Sequence, residues 1–318
     1  MLFTPGDPVT GTRYLVHGVF WPAADDSANG APPVLRLQAP DGTFQETALD
    51  DGTRLGIRLA AEGKSCLGHH RVHGPARRDH ILCAERLPSA RGHQCERCFV
   101  ADDFRLMHDF HRDGRVPPGL RSYLMQPHWL YIATFADGAS KVGTASNLRK
   151  WQRLAEQGAV VASYVARAAD GRIVRILEDL VTRDCGLPQQ VRSAAKASAL
   201  AGPAPAGRLT AHNLTLAATA RQVISGSGLE GFEVVDEAWR RPGLAWRLCS
   251  ASPRHAYPHS LASGPHGFTI QSVSGSFVLA ALGGTDLEFV VDLGRLKGRT
   301  IELGDYSSEV PAVQEALF

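Results

Sequence analysis

Apolar and polar residues alternate with a period of two over residues 14–21, 34–38 and 55–59, which predicts short, half-buried strands. Pro40-Asp41-Gly42 and Asp50-Asp51-Gly52 supply the turns between them, so this stretch reads as a small antiparallel sheet or partial barrel interrupted by a polar loop over residues 25–33. Residues 268–273, 276–282, 287–291 and 300–303 return to the same alternation, punctuated by Gly275, Gly283-Gly284 and Gly298. They predict a second β-rich unit near the C-terminus.

The middle of the chain has a different rhythm. An apolar run over 129–135 predicts a strand, Ala136-Asp137-Gly138 a hairpin turn, and 140–143 a short second strand. A helix capped by Ser146 or Asn147 then runs to Gly158, with Leu148, Trp151, Leu154 and Ala155 on its inner face. Residues 160–166 predict a third strand. Gly171 opens another helix, with Val174, Leu177, Glu178 and Val181 at helical spacing before Gly186 and Pro188 end it. Glu178 therefore falls at the edge of an apolar stripe, where a carboxylate must be paired, hydrogen-bonded or bound to a metal. The expected fold class is α+β. It comprises an N-terminal β unit (1–62), a zinc-binding module (63–112), a β-β-α-β-α core (128–200) and a C-terminal β-rich unit (208–318). The Pro/Ala/Gly stretch at 201–207 reads as a linker or long turn.

The zinc module is inferred from four cysteines spaced Cys66-x16-Cys83-x11-Cys95-x2-Cys98. Two thiols separated by two residues are a common bite for a tetrahedral zinc ion, and the other two complete a set of four thiolates. Such a site is closed and structural. His69, His70 and His73 could hold a second metal, or a histidine such as His80 could exchange with a cysteine ligand. A histidine-rich polar loop is the simpler reading. Cys185 and Cys249 read as small buried hydrophobes. Six cysteines with four in one cluster fit a reducing compartment. Residues 1–9 lack a basic region followed by an apolar core, and no apolar run approaches the ~20 residues of a spanning helix. A cytoplasmic protein without membrane association is expected.

A charged fraction of 21% and a hydrophobic fraction of 44% describe a folded chain rather than a disordered one. The net charge of +2 does not by itself indicate nucleic acid, but positive charge is concentrated. From Lys141 to Arg175 there are seven basic and two acidic residues, and the zinc stretch adds Arg71, Arg77, Arg78, Arg86, Arg91 and Arg97. Trp239, Trp246 and Tyr257, interleaved with Arg240, Arg241, Arg247 and Arg254, could stack on bases or serve the core. No glycine-rich segment has the strand-to-helix context and lysine of a phosphate loop.

Leu130-Tyr131-Ile132, Lys141-Val142-Gly143, Asn147-Leu148-Arg149-Lys150 and Glu178 together make residues 128–183 resemble the GIY-YIG endonuclease domain. The Asn-Leu-Arg-Lys run is most similar to its excision-repair branch. With Gln94-Cys95-Glu96-Arg97-Cys98, Gln126-Pro127-His128 and Glu156-Gln157-Gly158-Ala159, the whole resembles a prokaryotic domain-of-unknown-function family that joins a four-cysteine zinc module to such a core.

The nuclease resemblance implies divalent-metal-dependent phosphodiester hydrolysis of DNA or RNA, with Mg²⁺ or Mn²⁺ on Glu178 and Tyr131 as the base. Lys141 stands where the family has its second tyrosine, and Trp151 where alignment places its arginine. Arg149 and Arg153 then become the candidates for stabilising phosphate, and Lys141 a phosphate clamp, or a base only if burial lowers its pKa. His128, Asn147 and Lys150 complete the substrate-binding set. A non-catalytic nucleic-acid or protein adaptor with a degenerate site, and an enzyme acting on a small anionic metabolite, are the competing readings.

Overall fold

The computed structural model describes residues 10–23, 31–112, 114–252 and 254–310. Residues 1–9, and the expected polar loop as far as residue 30, lie outside the described residues. Strands β1 (Arg13–Phe20), β2 (Val34–Gln38), β3 (Phe44–Ala48) and β4 (Arg54–Leu59) come first. A hairpin of β5 (His69–Val72) and β6 (Arg78–Ile81) follows, and then α1 (Glu96–Ala101), a 3-10 segment (Asp103–Arg112) and α2 (Pro118–Leu124). Next are β7 (His128–Thr134), β8 (Ser140–Ser146), α3 (Lys150–Gln157), β9 (Val161–Ala168), α4 (Gly171–Cys185), α5 (Ser193–Ala199), α6 (Ala206–Ser225) and β10 (Phe232–Ala238). The chain closes with β11 (His255–Ala256), β12 (Pro265–Ser274), β13 (Phe277–Ala281), β14 (Glu288–Asp292) and β15 (Thr300–Leu303). The fold is mixed α+β. Among the described residues no helix is long and apolar enough to cross a membrane.

Strands from the two ends of the chain share one nine-stranded sheet, in the order β11-β14-β13-β12-β4-β15-β1-β2-β3. β4 lies between β12 and β15, and β15 also pairs with β1, so the expected N-terminal and C-terminal β units are interleaved. Among the described residues only β11 pairs in parallel; the other pairings in this sheet are antiparallel.

The second sheet, β10-β9-β7-β8, is antiparallel throughout. Its strands alternate so that Tyr131, Ala133 and Tyr164 join Leu154 and Ala155 of α3 in a core shared with the large sheet. Leu130, Ile132 and Val165 face the other way, onto Val174, Leu177 and Val181 of α4 and Ala217, Ala220 and Ile224 of α6. The expected β-β-α-β-α order is present from β7 to α4. α4 begins where the Asp170 carboxylate accepts from the backbone N–H groups of Arg172 and Ile173. α3 ends at Gly158, in the left-handed conformation.

Beyond the expected 128–200 core, α6 and β10 also pack on this sheet. The stretch read as a linker is a turn whose Pro205 leads directly into α6. Buried Asn213 of α6 donates to the Ile132 carbonyl and the Thr134 hydroxyl and accepts from Ser163. Its amide thereby locks α6 onto the sheet without leaving a buried polar group unpaired.

Candidate functional site

Two constellations stand out, a sulfur cluster and a charged cavity. Cys66 lies just before β5, Cys83 just after β6, Cys95 caps α1 and Cys98 sits in its first turn. All four are buried, and their Sγ atoms lie within 4.8 Å of one another. Four sulfurs around a tetrahedral zinc at about 2.3 Å would stand about 3.8 Å apart, so the set fits that ion. None of the six cysteines is in a disulfide.

Gly68, at φ 96°, turns the chain so that its N–H donates to Cys66 Sγ at 3.3 Å. A Cβ there would stand 2.0 Å from the Ile81 carbonyl oxygen, which makes glycine obligatory at this position. Burial raises the Cys66 and Cys98 thiols, whereas the Cys98 backbone N–H lowers Cys95.

Among the described residues no histidine joins the cluster. His70 approaches Asp102, His73 pairs with Asp79, and His80 bonds the Leu67 carbonyl. His80 stacks on His70, with ring centroids 4.6 Å apart, and meets His17 edge-on. These rings tie the module to the large sheet.

The second constellation is a cavity of about 540 Å³ at the β8 edge of the four-stranded sheet, where α3 approaches from one face and α4 from the other. The edge itself is covered, because Val142 N–H donates to the Pro188 carbonyl. Tyr131, Lys141, Arg149, Arg153, Glu178 and His128 all line this cavity, with Arg175 and Gln189 beside them. A register shift between Leu130 and Tyr131 in the pairing of β7 with β9 lies at the site, where such bulges re-aim side chains.

Tyr131 is fully buried, and its hydroxyl accepts from Gln157 Nε2 at 2.8 Å. Burial pushes its phenol above the ordinary value, while the adjoining Arg153 guanidinium pulls it back. The phenol therefore keeps its proton at neutral pH and has it to donate. Lys141 Nζ donates to the Gln189 carbonyl at 3.2 Å. Burial first, then the Arg153 and Arg175 charges against the opposing Glu178, lower Lys141 to about 8.

Glu178 is buried, and one carboxylate oxygen accepts from Arg175 Nη1 at 2.5 Å, one helical turn earlier. Arg149 is committed to Glu156, donating to both carboxylate oxygens. Arg153 and Lys141 have no carboxylate partner among the described residues. His128 Nδ1 faces the Gln126 carbonyl at 2.8 Å and must therefore carry the proton. Burial lowers its pKa, leaving a neutral ring.

Two residues expected at the site lie elsewhere. The Asn147 side chain accepts from Trp129 Nε1. Lys150 Nζ sits 3.4 Å over the Trp129 ring and pairs with Glu237. Trp129 holds both away from the cavity.

Sequence reasoning missed Arg175 as a site residue, although its three-residue spacing to Glu178 was a usable signal. It also missed Gln157 and Lys196. Lys196 on α5 donates to the Gln157 carbonyl and lies 4.0 Å over the Phe135 ring. Burial and the nearby Lys141 charge lower it to about 7. Trp239 and Tyr257 belong to the core or its margin, while Trp246 is exposed, with Arg241 5.0 Å over its ring.

Residues 83–199 match the family described as Protein of unknown function (DUF2797). The matched segment carries three of the four clustered cysteines and runs on through the cavity-lining strands and helices to the end of α5. No curated protein and no solved structure matches the chain.

Proposed function

We propose that this is a zinc-containing protein whose β8-edge cavity binds the phosphate backbone of nucleic acid. The observation that carries this reading is the convergence of Lys141, Arg153 and Arg175 on one concave site in which, among the described residues, Glu178 is the only acidic lining group. Glu178 holds Arg175 in place, which leaves Lys141, Arg153 and the Tyr131 hydroxyl as donors for phosphate oxygens. The four-cysteine cluster is a structural zinc site in this account.

A second reading is favoured by Tyr131 and Glu178 lining the same cavity. The resemblance to GIY-YIG endonucleases implies that Glu178 would hold a Mg²⁺ or Mn²⁺ ion. That ion would supply Lewis-acid stabilisation of a departing oxygen, with most remaining ligands coming from water and phosphate. Arg175 would have to release the carboxylate, and the raised phenol of Tyr131 makes it a poorer base than a hydrogen-bond donor.

A panel of single-stranded, branched and duplex DNA and RNA, incubated with Mg²⁺ or Mn²⁺, separates the two readings. Cleavage abolished by both Glu178→Ala and Tyr131→Phe establishes hydrolysis. Salt-sensitive binding without cleavage, weakened by Lys141→Met and Arg153→Ala, establishes the binding role. No affinity for any polynucleotide removes both and leaves a small anionic metabolite as the ligand.

A further inference from the structure

The cavity does not end at β8. A smaller hollow of about 200 Å³ continues it toward the zinc module, and Phe104, Tyr123, Ser146 and Arg149 line both spaces. The far wall of the smaller hollow is the tip of the β5–β6 hairpin, which carries Arg77 and Arg78. The cysteine cluster stands at the base of that hairpin, Cys66 before its first strand and Cys83 after its second. A metal clamped there would fix the direction in which the tip points.

The chemistry of the joined space is that of a strand-binding groove. Phe104 and Tyr123 meet edge-to-face, with centroids 6.0 Å apart, at the junction of the two hollows. The Arg78 guanidinium lies 5.9 Å over the Phe104 ring. Its charge is opposed across the hollow by that of Arg149, and among the described residues neither Arg77 nor Arg78 has a carboxylate partner. Cations at both ends with aromatic rings between them suit a chain of phosphates whose bases are free to stack. A duplex keeps its base faces covered and cannot use the rings.

We propose that the two hollows form one groove for single-stranded nucleic acid, in which Lys141 and Arg153 take one phosphate, Tyr123 and Phe104 stack a base, and Arg77 and Arg78 of the zinc-held hairpin take a phosphate further along. This rests on the reading of the cavity as a phosphate site and adds the direction of the strand and a role for the zinc module.

The test is fluorescence anisotropy with the full chain and two labelled probes, a dinucleotide and a single strand of about 12 nucleotides, each as DNA and RNA. The variant carrying Arg77→Ala and Arg78→Ala should bind the longer probe about tenfold or more weakly, with a salt slope smaller by about 0.7, and bind the dinucleotide unchanged. Tyr123→Leu should weaken the longer probe by about tenfold with the salt slope intact. A matched duplex should bind more weakly than the single strand.

Equal affinity of the arginine variant and the native protein for the longer probe, with unchanged zinc content, overturns the groove while leaving the phosphate site standing. Equal affinity for duplex and single strand, or displacement of the strand by an acidic peptide at equal charge, also overturns it. Failure of the native protein to bind either probe brings down the phosphate site and the groove together.

Discussion

The hydroxyl end of the Tyr131 ring packs against Gly143, its register partner on β8, so closely that a Cβ at Gly143 would stand 2.5 Å from the phenolic oxygen. The missing side chain is what lets the hydroxyl reach Gln157 and the cavity wall. Gly143→Ala must therefore push the ring aside. We expect a loss of about 1–3 kcal/mol in urea denaturation and weaker nucleic-acid binding. Tyr131→Phe, which keeps the packing, should lower binding with little change in stability.

Lys141 gives the site a pH signature. With its folded pKa lowered to about 8 from an ordinary 10.5, the unfolded chain binds more protons between those values, so this group makes stability rise with pH across that window. Anion binding should run the other way and fall above about pH 8 as the charge is lost. Lys141→Met should be more stable than the native protein at pH 7 by about 1–3 kcal/mol, with the difference closing above pH 10.5. Its anion affinity should be lower and no longer respond to pH near 8.

Glu178 is the group that raises Lys141 against the other influences. Glu178→Gln should move the Lys141 titration below 8, followed by NMR of isotope-labelled lysine side chains. It should also free Arg175. If the Lys141 titration stays in place, the two side chains are not electrostatically coupled.

The histidine contact between the zinc module and the large sheet predicts acid sensitivity. Burial lowers both His17 and His80 to about 4, so between there and their ordinary 6.5 the unfolded chain binds more protons and stability falls as pH falls. Urea midpoints should decline over that range, and the decline should flatten in a His17→Gln, His80→Gln variant. Hydrogen bonding of Gln38 and Leu67 to the replaced side chains keeps the comparison fair.

Purified protein should carry about one zinc per chain, with X-ray absorption showing sulfur neighbours at about 2.3 Å. Chelation, or Cys95→Ala, should lower the melting temperature and loosen the β5–β6 hairpin first, read by hydrogen exchange at Val72 and Ile81.

Much of this architecture was legible in the chain because its signals are local. The alternation read at β1 and β12, the apolar run of β7, the helix stop at Gly158 and the helix start at Gly171 each act within a few residues. The spacing of Cys95 and Cys98 pointed to the cluster for the same reason. α6 was missed because its inward positions are Leu209, Asn213, Ala217, Ala220 and Ile224, a stripe of small and polar residues with little hydrophobic contrast. The joining of β4 with β12 and β15 depends on long-range pairing that no local pattern announces. At the cavity, Glu178 was marked by its place on the apolar stripe of α4 and Tyr131 by the resemblance to the GIY-YIG domain, and both line the same space. The withdrawal of Lys150 and Asn147 toward Trp129 depends on contacts across β7 that the sequence does not order.

The central claim is that Lys141 and Arg153 bind nucleic-acid phosphate at the edge of β8. Measuring the affinity of a labelled single strand as a function of salt, for the native protein and for the Lys141→Met, Arg153→Ala variant, tests it most directly. The account predicts weaker binding by the variant and a log–log salt slope smaller by about 0.7, the release of counterions from one phosphate. Identical affinity and identical slope for the two proteins would contradict it.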